Sequence, residues 1–96
     1  HNAGSIANLA DVLRENGDAS AGDLYNRALA GLRKTYGNAH PDVLSTLYEY
    51  SLFREKQRQM PEARRLASEA ALGARSSLPK THPDRIKYEE RVKALR

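Results

Sequence analysis

Apolar side chains recur along this 96-residue chain at spacings of three, four and seven, the period of a helix that buries one face. In the first such segment, Ile6, Leu9, Ala10 and Leu13 share one face. The pattern predicts helices over residues of about 5–16, 19–35, 43–58, 61–77 and 84–95. All four prolines fall at the joints between these segments, as their missing N–H requires. No segment alternates between apolar and polar residues, so the predicted fold class is all-α.

The tripeptide His-Pro-Asp occurs at 40–42 and again at 82–84, which is 42 positions later. The same offset joins further identical residues: Ala21 and Ala63, Leu24 and Leu66, Ala28 and Ala70, Gly31 and Gly73, and Arg33 and Arg75. This predicts a helical solenoid of two helix-turn-helix repeats and a capping helix. The whole of 1–96 is then one domain, with repeats over about 5–42 and 43–84 and the cap over about 84–95.

The repeated tripeptide is explained by helix initiation. A residue before proline is held out of the α region, and proline suits the first turn. The aspartate then places negative charge beside the free N–H groups of that turn. A reused catalytic tripeptide is the alternative, but local helix chemistry accounts for both copies.

Charge is unevenly divided along the chain. The net charge is +4, yet residues 1–42 carry four basic and five acidic side chains, and residues 43–96 carry twelve and seven. The second half therefore suits an anionic partner or a solvated surface. Absence of cysteine fits a reducing compartment, and we expect a cytoplasmic location. No apolar run reaches the ~20 residues of a membrane span, so no membrane partner is expected.

The sequence contains no residue pattern that is typical of an active site. The three histidines lack metal-ligand spacing, and there is no Gly-rich phosphate loop. Glu89 and Glu90 are adjacent, so they point to different helix faces. Ser76 and Ser77 lie near a helix end, where termination explains them. We expect no catalytic residue, no metal and no cofactor.

The stretch "LYNRALAGLRKTYGNAHPDVL" at 24–44, with Asn8-Leu9-Ala10 and Asn16-Gly17 before it, resembles the kinesin light chain-type tetratricopeptide repeat. It is also similar to arrays that follow nucleotide-binding signalling modules. The chain departs from the family pattern at Arg58, where glycine is usual, and at Glu89, where leucine is. The turn of the first unit is also one residue shorter.

The resemblance implies a non-catalytic scaffold that binds a peptide or partner protein. Two units and a cap are fewer than the three or more repeats that such arrays usually need. We therefore expect the C-terminal end of a longer array. Its N-terminal repeat face would be uncovered and able to self-associate.

In this family the first helix of each unit lines the concave side. Carried over residue by residue, the groove candidates are Ala7, Asn8, Asp11, Glu15, Ser45, Tyr48, Glu49, Leu52 and Lys56. The Asn8 amide can donate to and accept from a peptide backbone. Exposure without function is the alternative for Asn8, and packing on a neighbouring helix is the alternative for Tyr48. Lys87 and Arg91, one turn apart, form a further candidate pair for a carboxylate.

Two other functions stay open. The array can be a structural or sensing end of a larger NTPase-type signalling protein. Alternatively, a basic run on the second unit can bind nucleic acid or another anion; it comprises Arg54, Arg58, Arg64, Arg65 and Arg75. Glutamates interleave with this run at helical spacing, which favours internal ion pairs over nucleic acid.

Overall fold

The structure, a computed structural model, describes residues 2–96 and contains only α-helices there. The helices are α1 (Ala3–Glu15), α2 (Ala21–Tyr36), α3 (Pro41–Lys56), α4 (Met60–Ser77) and α5 (Pro83–Ala94). Each begins and ends within about two residues of its predicted bounds. The all-α helical-repeat fold is confirmed.

Both His-Pro-Asp tripeptides begin a helix, as predicted. The Nδ1 atom of His40 accepts a hydrogen bond from the backbone N–H of Asp42 at 3.1 Å. His82 caps α5 in the same way, accepting from the N–H of Asp84 at 3.0 Å. The histidine is thus the N-cap itself, a role that sequence reasoning did not assign to it.

Successive helices pack against one another, and α3 also contacts α1. The centre of the core is aromatic: Tyr25 of α2 stacks on Tyr50 of α3 with ring centroids 5.1 Å apart, and Phe53 lies 6.1 Å from Tyr25. All three rings are buried. Aromatic pairs stabilise a core beyond what the burial of their apolar area contributes, so this cluster packs the two helix pairs firmly together.

The matched glycines of the repeat are points of close approach. A Cβ atom on Gly31 would lie 2.9 Å from the Cβ of Ala3, and one on Gly73 would lie 2.5 Å from Cδ2 of Leu44. Either contact is too short for carbon atoms. The two helices of each pair therefore meet where no side chain intervenes, which supports their interpretation as packing positions.

The buried face of α1 differs from the predicted stripe. Ala7 and Ala10 are buried, whereas Leu9 and Val12 are 51% and 52% exposed. The spacing of Leu9 is right for an apolar stripe, but its side of the helix has no neighbour within residues 2–96. Periodicity identifies an apolar face without supplying the element that covers it.

Polar groups hold α5 against α4. Arg64 donates from Nε to the carbonyl oxygen of Leu95 at 2.7 Å, and the Leu95 side chain is buried. Glu89, which stands where the repeat pattern has leucine, lies 2.8 Å from Nε of Arg75 and 3.6 Å from Nε of Arg85. The departure at Glu89 replaces an apolar contact with ion pairs, as a helix with one solvated side requires.

Candidate functional site

Helices α1, α3 and α5 line one face of the molecule, and three depressions lie between them. Between α1 and α3 is the acidic groove, about 370 Å³ in volume. Its lining comprises Gly4, Ala7, Asn8, Asp11, Leu32, Asp42, Ser45, Thr46 and Glu49. It contains three carboxylates and no lysine or arginine.

Two carboxylates of the acidic groove interact across the helix boundary. The Tyr25 hydroxyl donates to Oδ1 of Asp11 at 2.6 Å, and burial together with this bond raises the pKa of Tyr25. Burial, a hydrogen bond to Asp11 and the negative charge of Asp11 raise the pKa of Glu49 to about 7. Arg14 and Lys87 act in the opposite direction. The Glu49 carboxyl group therefore takes up a proton near neutral pH.

Between α3 and α5 is the basic groove, lined by Tyr48, Pro83, Ile86, Lys87, Glu90, Arg91 and Ala94. The Lys87 Nζ atom lies 4.6 Å from the ring centroid of Tyr48 and 5.5 Å from that of Tyr88. Such a cation–π contact positions the ammonium group without neutralising it. Within residues 2–96, Lys87 takes part in none of the ion pairs.

Arg91 is already engaged. Its Nη2 atom lies 2.7 Å from Oε1 of Glu55, and its Nε donates to Oγ of Ser51 at 3.2 Å. Its side chain is only 11% exposed. Lys87 and Arg91 were predicted to act as a pair, but Arg91 holds a carboxylate of its own chain and Lys87 is the available cation.

A third depression lies toward the C-terminal ends of α1 and α3 and is lined by Arg14, Glu15, Leu52, Glu55 and Lys56. With it, every predicted groove residue lines one of the three depressions. Ala7, Asn8, Asp11, Ser45 and Glu49 line the first, Tyr48, Lys87 and Arg91 the second, and Glu15, Leu52 and Lys56 the third.

Sequence reasoning missed four charged lining residues, Arg14, Asp42, Glu55 and Glu90, and the apolar lining residues Leu32, Pro83, Ile86 and Ala94. A signal was present for three of them. Arg14 is one turn from Asp11, and Ile86 and Glu90 are one turn apart beside the Lys87–Arg91 stripe. Asp42 was read only as a helix-start residue, although a first-turn carboxylate also faces the next groove.

Tyr48 packs on the neighbouring helix, which was one of its two alternatives, while its contact with a ligand stays a prediction. Its ring packs 5.6 Å from that of Tyr88, and it also forms part of the basic groove. Burial raises the pKa of the neighbouring Tyr88 to about 12. Because Tyr88 of α5 packs against the Tyr48 ring, that ring is held in place as an apolar side of the basic groove.

Three of the five arginines in the basic run pair with glutamates, as the interleaving predicted: Arg54, Arg65 and Arg75. Arg65 lies 3.0 Å from Glu62 and 2.6 Å from Glu69, while Arg33 lies 2.8 Å from Glu69. The bond to Arg65 lowers the pKa of Glu62. These pairs remove much of the positive charge that a nucleic-acid backbone would contact.

The part of the chain that the structure describes contains no cluster of three side chains able to ligate a metal ion. In the same residues, none of the helices combines the length and apolar character needed to cross a bilayer.

The protein-family model for the tetratricopeptide repeat matches residues 2–76. The chain belongs to the tetratricopeptide repeat family. The match covers α1 to α3 and nearly all of α4, so these four helices are the repeat pairs of the family and α5 lies beyond the matched region. Comparison with curated proteins and with solved structures returns no significant match. Tetratricopeptide repeats generally mediate protein–protein interaction, and they are typically non-catalytic scaffolds.

Proposed function

We propose that this tetratricopeptide repeat chain binds an extended peptide of a partner protein along the face formed by α1, α3 and α5. The supporting observation is that three adjoining depressions with charged linings lie on that face, two between α1 and α3 and one between α3 and α5. Adjoining open grooves between helices suit an extended chain better than a compact small molecule. We take the repeats to be of the kinesin light chain type and the chain to be a cytoplasmic scaffold.

Asn8 is the proposed contact for the peptide backbone. Its side chain is exposed and lines the acidic groove. An amide both donates to and accepts from a peptide bond, so one residue can fix the position of a bound peptide backbone in the groove. Tyr48 and Leu52 lie one turn apart on α3 and line the two other depressions, where they offer apolar surface to ligand side chains.

A random-peptide selection tests this function. The chain, its Asn8→Ala variant and its Asn26→Ala variant are each used to select peptides. Asn26 is the matched control, since it is an exposed asparagine on α2, away from the three depressions. We expect peptides selected on the chain to bind the control equally and the Asn8→Ala variant about tenfold more weakly. Circular dichroism confirms that both variants remain helical.

The proposal is wrong if the folded chain enriches no peptides, or if the enriched peptides bind the Asn8→Ala variant as tightly as the control. Either result would favour the alternative role, a structural or sensing end of a repeat array in a larger NTPase-type protein. That alternative is supported by Leu9 and Val12, whose half-exposed side chains would be covered by a further helix pair. In the absence of such a pair, a second copy of the chain can occupy the same face.

A further inference from the structure

The acidic and basic grooves are adjacent but opposite in charge. Asp11, Asp42 and Glu49 line the first, whose lining contains no lysine or arginine, and Lys87, which takes part in none of the ion pairs within residues 2–96, lines the second. The positive charges of Arg14 and Lys87 nevertheless reach Glu49 and act to lower its pKa. Helix α3 alone separates the two grooves. The face is therefore negative between α1 and α3 and positive between α3 and α5. A ligand with a positive group at the first groove and a negative group at the second complements it.

The separation of the grooves sets the spacing of such a ligand. The two grooves lie on either side of α3, and a helix with its side chains is about 10–12 Å across, so the groove centres are about 10 Å apart. A peptide in the extended polyproline II conformation advances about 3.1 Å per residue with three residues per turn, so side chains three positions apart project to the same side. Two side chains that enter the neighbouring grooves are therefore about three residues apart.

Resting on the proposed function, the geometry points to a bipolar ligand: we propose that the face selects an extended peptide carrying a lysine or arginine about three residues from an aspartate or glutamate. The cationic side chain lies in the acidic groove, and the carboxylate pairs with Lys87.

The acidic groove suits a long cation. Asp11 accepts from the Tyr25 hydroxyl and shares a hydrogen bond with protonated Glu49, so the groove offers Asp42 and, once it is ionised, Glu49 to a ligand. The hydroxyls of Ser45 and Thr46 already donate to the backbone carbonyl of Asp42, so they offer acceptor lone pairs toward the groove. A lysine or arginine side chain has donors at the end of a flexible stem and no acceptor, which matches this lining.

The basic groove suits a single carboxylate. The rings of Tyr48 and Tyr88 hold the Lys87 ammonium group in place, so little side-chain entropy is lost when a carboxylate binds. Arg91 is committed to Glu55, and Glu90 on the rim repels a second anion. One negative charge on the ligand is therefore favoured over a run of them.

Binding of the cation depends on ionised Glu49. Because its carboxyl group titrates near neutral pH, the groove gains negative charge as pH rises through about 7. The charged and titratable groups around it are Asp11 and Arg14 of α1, Tyr25 of α2, Asp42 of α3, and Lys87 and Tyr88 of α5. Tighter binding of the bipolar peptide at pH 8 than at pH 6 follows.

The test sequences the peptide pools enriched by the chain and by single variants at each groove. On the unmodified chain we expect cation–anion pairs three residues apart to exceed their frequency in the starting library. Glu49→Gln is expected to remove the preference for the cation, and Lys87→Ala the preference for the anion. Lys93→Ala is the matched control, because Lys93 is exposed on the same helix.

The affinity of one enriched bipolar peptide for the chain and for each variant is then measured. We expect Lys87→Ala to weaken it about twofold to fivefold, the range for solvent-exposed charge pairs, and Lys93→Ala to leave it unchanged. Pools that depend on Asn8 but show no charge pairing would overturn the bipolar ligand and leave the proposed function standing. Pools without dependence on Asn8 would overturn both.

Discussion

Helices α1 and α3 occupy the same position in their repeats but differ in what covers them. The turns after them match, since Gly17 has φ of 74° and Arg58 has φ of 60°. Counted back from these residues, Leu9 corresponds to Tyr50 and Val12 to Phe53. Leu9 and Val12 are 51% and 52% exposed, whereas Tyr50 and Phe53 are 2% and 4% exposed.

The difference comes from the neighbouring helix. Tyr50 and Phe53 lie against Tyr25 of α2, and Phe53 comes within 3.1 Å of where a Cβ on Gly22 would stand. No described helix lies at the equivalent side of α1. Equivalent positions are apolar in both helices, so burial is a property of the stack and not of the single repeat.

The largest effect that tests this comparison is truncation at the buried position. Tyr50→Ala removes the stacked ring and leaves a cavity between the helix pairs, so we expect it to lower the free energy of unfolding by about 3–5 kcal/mol. Leu9→Ala, at the equivalent exposed position, should lower it by less than about 1 kcal/mol. Urea denaturation measures both, and similar losses for the two variants would refute the stacking explanation.

The matched turns provide a second test. Gly17 adopts a left-handed conformation without strain, while Arg58 adopts it at a cost of about 1 kcal/mol. Arg58→Gly should therefore stabilise the chain by up to about 1 kcal/mol, and Gly17→Ala should destabilise it by about the same amount. Thermal unfolding followed by circular dichroism reports both. Opposite signs are the result required; a loss of stability in both variants would show that the two turns are not equivalent.

Position 49 distinguishes the two helices electrostatically, because Glu49 corresponds to Asn8 of α1. The folded-state pKa of Glu49 is raised above its usual value, so its contribution to stability is present below about pH 4.5 and is lost as pH rises toward 7. The loss should be below about 1 kcal/mol, since the carboxylate is only half-buried and solvent screens it. Urea midpoints of the chain and Glu49→Gln across pH 4–8 should differ in slope within that window, and parallel curves would contradict the raised pKa.

The smallest effect on stability is expected at the uncovered face of α1. Leu9→Lys combined with Val12→Lys should change the free energy of unfolding by about 0.5 kcal/mol or less, because both side chains already contact water. The same variant should remove any concentration-dependent self-association. Sedimentation equilibrium measures this, and association that persists in the variant would place the contact elsewhere.

Much of the fold follows from local sequence because its signals are local. The histidine, proline and aspartate of each joint act within three residues, and the matched Gly31 and Gly73 mark close packing within one pair. Leu9 was assigned to the packing face because periodicity counts apolar positions without counting neighbours.

The chemistry of the grooves depends on contacts between distant residues, which spacing does not encode. The raised pKa of Glu49 comes from its burial and from Asp11 on another helix, and the engagement of Arg91 requires Glu55, 36 positions earlier. Resemblance to the repeat family supplied the lining residues one by one. It carried no information on which of the two cations in the basic groove is already paired.

The one-dimensional arrangement of the helices has a consequence for heat. Because α1 packs chiefly against α2 and α3, it can detach while the contacts of α4 and α5 persist. Detachment dismantles the acidic groove and leaves the basic groove whole. A ligand that needs both grooves would therefore be released at a lower temperature than the one at which the rest of the molecule unfolds.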